Sequence, residues 1–177
     1  MFVLSLDDQE ISEKFSFTEF TSRYLDDLLL LNDKDEFAQI FKDIYPQELE
    51  LLATHENNTT ADFLDLNISV SDGRFVTKLY DKRRQFKFNV TSMPHFHSNS
   101  PDSTAIGTFI SQLFRYLEIN SDFYLFQGDC KALARKLSNQ GFPCKYLNFG
   151  IRKFINKNFL KIVTKYWVIP NVRDFIS

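Results

Sequence analysis

The chain has 177 residues and a mass of 20.9 kDa, which is about one domain at ~150 residues each. Its 44% apolar and 25% charged residues exclude a disordered tail; 5 Gly and 5 Pro exclude collagen-like and low-complexity sequence; 2 Cys exclude a disulfide scaffold. The net charge of -2 hides a split, with 16 acidic and 4 basic residues from Met1 to Leu66 against 7 acidic and 17 basic from Asn67 to Ser177.

Taken in chain order, residues 1–14 carry little pattern. Phe15, Phe17 and Phe20 lead into an alternating stretch that ends at Tyr24, followed by Leu25-Asp26-Asp27 and the apolar run Leu28 to Leu31. Asp is turn chemistry, so a β-hairpin with the Asp pair at its tip is expected. Phe37, Ile40, Phe41 and Ile44 predict a helix over 34–45, stopped by Pro46, and a short strand is expected over 49–54. Residues 63–70 alternate, Asp72-Gly73 is a hairpin signal, and 75–80 return as the second arm. Residues 82–100 read as an irregular connector. Ile106, Phe109, Ile110, Leu113, Phe114 and Leu117 predict an amphipathic helix over 103–117. Two more helices are expected over 122–137 and 146–159, separated by Gly141-Phe142-Pro143, and a last strand over 166–169. Hairpins first and helices afterwards is α+β organisation, with a strand-rich part over 1–90 and a helical part over 91–177. The 20 Phe predict a core rich in aromatic packing.

No apolar run approaches the ~20 residues that span a bilayer, and the N-terminus has no basic region followed by an apolar stretch. Secretion and a membrane partner are therefore not expected. The expectation is an intracellular protein, nuclear or cytoplasmic, with two reduced thiols, Cys130 and Cys144.

Adjacent carboxylates at a hairpin tip project beyond the sheet, where a hard cation can take them as oxygen ligands. Alone, the pair is also ordinary turn chemistry. Its surroundings say more. Tyr24-Leu25-Asp26-Asp27, between two strands, resembles the Tyr-x-Asp-Asp motif of reverse transcriptases. Phe63-Leu64-Asp65-Leu66, Asp72-Gly73 and Thr77-Lys78-Leu79-Tyr80-Asp81-Lys82-Arg83 are similar to the stretch that follows in retroelement polymerases, most of all those of Penelope-like elements. Ser98-Asn99-x-Pro101, Ile110-Ser111-Gln112-Leu113-x-Arg115-Tyr116 and Gln140-Gly141-Phe142 resemble the region after that.

The resemblance implies an RNA-directed DNA polymerase whose palm hairpins precede a helical thumb. It implies that Asp26 and Asp27 are catalytic carboxylates that bind Mg²⁺ or Mn²⁺, and that Tyr24 and Leu25 lie near the primer end and the incoming nucleotide. The hairpin over 63–80 would grip the primer, and the partner would be an RNA/DNA template–primer duplex. One departure is large. The family has a further carboxylate on an upstream strand, and nucleotide-binding fingers; only 23 residues precede Tyr24, and Asp7 and Asp8 match no such strand. The expectation is a C-terminal palm-and-thumb portion, inactive alone, with weak metal binding. The alternative is a non-catalytic nucleic-acid-binding or interaction module derived from a retroelement.

Lys78, Lys82, Arg83, Arg84 and Lys87 form one basic cluster. Lys131, Arg135, Lys136, Lys145, Arg152, Lys153, Lys157, Lys161 and Lys165 form another, with no acidic residue between 131 and 166. Lys153, Lys157 and Lys161 recur every four positions, so a helix would align them as a ridge for phosphate tracking. His95-x-His97 lacks a third metal ligand nearby, Ser111 lacks a base, and Phe109, Phe114, Phe123 and Phe126 at helical spacing predict core and not base-stacking platforms.

Overall fold

The computed structural model describes residues 20–31, 43, 45, 46, 48–50, 52, 59–88, 93–99 and 101–175. The chain divides into two units, Met1–Glu56 and Asn57–Ser177. The helix expected over 34–45 falls largely outside the described residues; of the strand expected over 49–54, residues 49, 50 and 52 are described and are not in a strand. The class is α+β, with two small antiparallel sheets and three helices among the described residues. None of these helices is long and apolar enough to cross a membrane.

In the first unit, β1 (Phe20–Tyr24) pairs antiparallel with β2 (Asp27–Leu31), closing on Tyr24 opposite Asp27. The loop is only Leu25-Asp26, and Leu25 takes a left-handed φ of 54°. Two-residue hairpins need positive φ at the first loop position to match strand twist. Leucine adopts it at a cost of about 1–2 kcal/mol. The Arg23 guanidinium holds the loop, with Nε donating to the Leu25 carbonyl at 3.0 Å and Nη1 to the Tyr45 hydroxyl at 3.2 Å.

In the second unit, β3 (Thr60–Phe63), β4 (Leu66–Ser71) and β5 (Arg74–Leu79) form a meander in that order. Asp72 and Gly73, with φ of 50° and 69°, make the primed turn that their sequence predicts. The alternating stretch 63–70 is not one strand. It breaks at Leu64-Asp65, where Leu64 takes φ 55° and Phe63 faces Leu66. Phe-Leu-Asp thus repeats the turn of Tyr-Leu-Asp, in a place without a paired carboxylate.

Helix α1 (Asp102–Ile119), α2 (Phe123–Asn139) and α3 (Cys144–Tyr166) follow. Asp122 caps α2, accepting from the Tyr124 and Leu125 amides. Its other end is a Schellman motif. Gly141 is left-handed at φ 84°, its N–H reaches the Ser138 carbonyl, and the Phe142 N–H reaches Leu137, both at 3.0 Å. Helix α3 runs seven residues past the expected end, and no strand forms over 166–169. Buried Asn158 donates Nδ2 to the Phe154 carbonyl at 2.8 Å, which bends the helix at φ -115°, ψ 15° without ending it.

What carries α3 onward is the end of α1. The last carbonyls of a helix have no partners inside it, and here the C-cap residue Asn120 and side chains from other elements supply them. Asn120, fully buried, donates to Tyr116 O and to Asp129 Oδ2, both at 3.0 Å. Lys165 Nζ donates to Leu117 O at 2.6 Å and Glu118 O at 2.9 Å. Thr77 Oγ1 on β5 donates to Ile119 O at 2.6 Å, and the Tyr166 hydroxyl donates to Asn120 O at 2.8 Å. Ser121 then adds a rung to β5, its N–H donating to Thr77 O at 3.0 Å.

The core lies between the three helices. Phe126 sits against the stacked ring of Tyr166 at 5.7 Å and against Phe175 at 5.5 Å. Helix α3 packs tightly on α1 at Gly150, where an added Cβ would lie 2.8 Å from buried Phe109. Gly128 on α2 faces open space. Gly150→Ala should therefore destabilise by about 1–3 kcal/mol, overpacking outweighing the helix-propensity gain. Gly128→Ala should stabilise by about 0.5–1 kcal/mol. Urea denaturation of both variants gives the two signs, and a stabilised Gly150→Ala would refute the close crossing.

Candidate functional site

Segments far apart in sequence meet in one cleft of about 220 Å³ in the second unit. The β3–β4 turn brings Leu64 and Asp65. The end of β5 and the 3₁₀ turn Lys82–Gln85 bring Tyr80, Asp81, Lys82 and Arg83. One face of α1 brings Gln112, Arg115 and Tyr116, at helical spacing.

Charge is largely compensated there. Arg115 Nη2 pairs with Asp65 Oδ2 at 2.5 Å, and the Tyr80 N–H donates to the Asp65 carbonyl at 2.8 Å. Asp81 takes Arg83 as a fork, Nε at 2.7 Å and Nη2 at 3.0 Å, and also caps the 3₁₀ turn by accepting the Arg83 N–H. The hydrogen bond that Arg83 donates to Asp81 raises the Arg83 pKa, against a smaller opposing effect of burial. Burial, helped by Asp129, pushes the Tyr116 phenol up to about 12. Lys82 is exposed at the rim. The cleft is a clamp between the sheet and α1. Of its residues, sequence reading singled out Lys82 and Arg83. It passed over Asp65, Arg115 and Tyr116 as site residues, because an ion pair across 50 positions leaves no local signal.

The other expected site residues stand as follows. Asp26 and Asp27 are both exposed, Asp26 in the loop and Asp27 at the first position of β2; Tyr24 and Leu25 are exposed beside them. Among the described residues, no three His, Cys, Asp or Glu side chains gather to hold a metal. The Asp pair offers two of the roughly six oxygens that Mg²⁺ requires. That fits one weakly held ion. Lys78 is exposed on β5, and the Arg84 side chain lies outside the described residues.

Lys153, Lys157 and Lys161 are all exposed on α3, but two of them also engage α1. Lys161 pairs with Glu118, and Lys157 Nζ lies 5.6 Å over the Phe114 ring. Burial holds Lys165 below its ordinary pKa; Glu118 opposes that and Lys161 adds to it. Phe109, Phe123 and Phe126 are core, and Phe114 packs edge-on against Phe154 at 5.1 Å. The His97 N–H donates to His95 Nδ1 at 3.3 Å. Cys130 is buried, its thiol pushed well above its ordinary pKa by burial, while Cys144 is exposed. Comparison with family models, with curated proteins and with solved structures finds no match.

Tyr116 makes a testable alkaline limb. Its folded pKa of about 12 lies above the ordinary 10.0. Its contribution is complete below pH 10 and is lost as pH rises through 12, because the unfolded chain loses the proton first. Stability should fall by up to about 2 kcal/mol over that window through this group, after allowing for partial solvent screening. Urea midpoints from pH 9 to 12 should show a shallower decline in Tyr116→Phe than in the parent. Parallel curves would place the phenol in water.

Proposed function

We propose that the chain is the palm-hairpin and thumb portion of a reverse-transcriptase-like RNA-directed DNA polymerase. In this reading it holds the backbone of an RNA/DNA template–primer duplex and does not extend a primer by itself. The observation that carries the reading is the Tyr24–Asp27 hairpin, whose two-residue turn leaves both carboxylates exposed to solvent. Further support comes from the segments that resemble the polymerase series after Tyr-x-Asp-Asp. Asp65, Asp81, Gln112 and Arg115 belong to three such segments, and all line one cleft.

Asp26 and Asp27 would hold Mg²⁺ or Mn²⁺ weakly, and the ion would supply positive charge at a phosphoryl group. The chain's own part is to present the pair and to hold phosphates with Lys153, Lys157 and Lys82. A non-catalytic module of retroelement origin is the second reading. It is favoured by the lack, among the described residues, of a third carboxylate beside Asp26 and Asp27. The first reading pairs the chain with a template–primer duplex and the second with nucleic acid or another partner, in nucleus or cytoplasm in both.

Primer extension by the 177-residue chain, on RNA or DNA template with Mg²⁺ or Mn²⁺, should stay at background. Extension that vanishes in Asp26→Asn/Asp27→Asn would overturn the inactive reading. Duplex binding should weaken steeply with salt. Lys153→Ala should flatten the logarithmic salt slope by about 1, and Lys161→Ala by less, since Glu118 already neutralises part of that charge. Binding that ignores salt would remove the nucleic-acid reading altogether.

A further inference from the structure

A second cleft, of about 720 Å³, opens in the same unit. Lys145, Asn148, Phe149 and Arg152 line one wall, at the i, i+3, i+4, i+7 spacing that puts them on one face of α3. Asn171 and Arg173, from the segment after α3, line the other. That second wall is pinned. The Asn171 side-chain oxygen accepts the Arg173 N–H at 3.0 Å, and Asp174 Oδ2 accepts the Asn171 N–H at 3.1 Å. Two residues on, Phe175 is buried against Phe123 and Phe126.

The charge is one-sided. Among the described residues, three exposed cations line the cleft and no carboxylate does, the neighbouring Asp174 being engaged by the Asn171 N–H. Among the described residues, neither Lys145, Arg152 nor Arg173 has an ion-pair partner. Lys145 Nζ lies 5.2 Å over the Tyr146 ring, an arrangement that keeps its charge. Like charges gathered around a concavity without a counter-charge raise the local potential and draw anions. Two guanidiniums favour phosphate, whose oxygens match their fork. Phe149 is 55% exposed, an apolar ring at the wall of a cationic cleft. A simple inorganic anion leaves that ring unused, whereas a nucleobase stacks on it.

We propose that this cleft binds a nucleoside phosphate, with the phosphate held by Lys145, Arg152 and Arg173 and the base stacked on Phe149. The same chemistry comes from a soluble nucleotide or from one nucleotide of a single strand. The inference does not depend on the polymerase reading, because it uses neither the Asp pair nor the Lys153–Lys161 face.

Titration calorimetry on the full chain, with ADP, inorganic pyrophosphate and a ten-residue oligo-dA as probes, tests it. Arg152→Gln/Arg173→Gln should weaken whichever nucleotide probes bind by about tenfold or more, since charge-assisted hydrogen bonds are lost. Phe149→Ala should weaken ADP or oligo-dA severalfold and leave pyrophosphate unchanged, and Phe149→Tyr should restore the affinity. All three sites are exposed, and thermal melts would confirm that the variants fold. Binding of ADP points to a soluble nucleotide, and binding of oligo-dA alone to a strand. Failure of both probes to bind, or affinities untouched by the double variant, overturns the proposal. So does equal weakening of ADP and pyrophosphate in Phe149→Ala. Duplex binding that keeps its Lys153-dependent salt slope while the cleft fails would separate the two ideas.

Discussion

The end of α1 organises the second unit. The last carbonyl groups of a helix lack partners inside it, and one that is buried and left unmatched costs on the order of 1–3 kcal/mol. Here Tyr116, Leu117, Glu118, Ile119 and Asn120 offer their oxygens, and Thr77, Asn120, Lys165 and Tyr166 satisfy them. These donors come from β5, the α1–α2 corner and the last turn of α3. The requirement fixes where the sheet meets the helices and how far α3 extends. The aromatic core then fills the space that this arrangement leaves, with Tyr166 serving both, its hydroxyl on Asn120 and its ring on Phe126.

The same logic explains what could be read from the sequence. Asp72-Gly73 announced its turn and Gly141-Phe142-Pro143 the break between two helices, because each acts through its immediate neighbours. The α1 face was legible from the spacing of Phe109, Leu113, Phe114 and Leu117. The turn at Leu64-Asp65 was not, since leucine carries no turn preference and its left-handed backbone is held by contacts of Asp65 with Tyr80 and Arg115. Nor was the last turn of α3, which exists because Lys165 and Tyr166 reach carbonyls 48 and 46 positions earlier.

For the candidate sites the lesson is sharper. The hairpin shape at Tyr24–Asp27 is shared by Phe63–Leu66, so an aromatic-Leu-Asp turn is by itself a way to reverse a strand. What distinguishes the first copy is Asp27, a second carboxylate where the other has Leu66. The lysines on α3 divide in a similar way. Lys161 pairs with Glu118 of α1, and Lys157 and Lys145 lie over the Phe114 and Tyr146 rings, whereas Arg152 lines a cleft where no carboxylate stands among the described residues. Equal spacing in the sequence thus conceals unequal availability to a ligand.

The carbonyl cluster also has a kinetic meaning. Its donors close loops of roughly 40 to 50 residues, so forming α1 and α2 alone cannot satisfy it. A chain with only its local helices in place still carries the orphaned oxygens. They find partners only when β5 and the end of α3 arrive. The docking of β5 completes Ile119 and the docking of the end of α3 completes Leu117, Glu118 and Asn120, so the end of α1 is finished by long-range closure and not by helix formation itself.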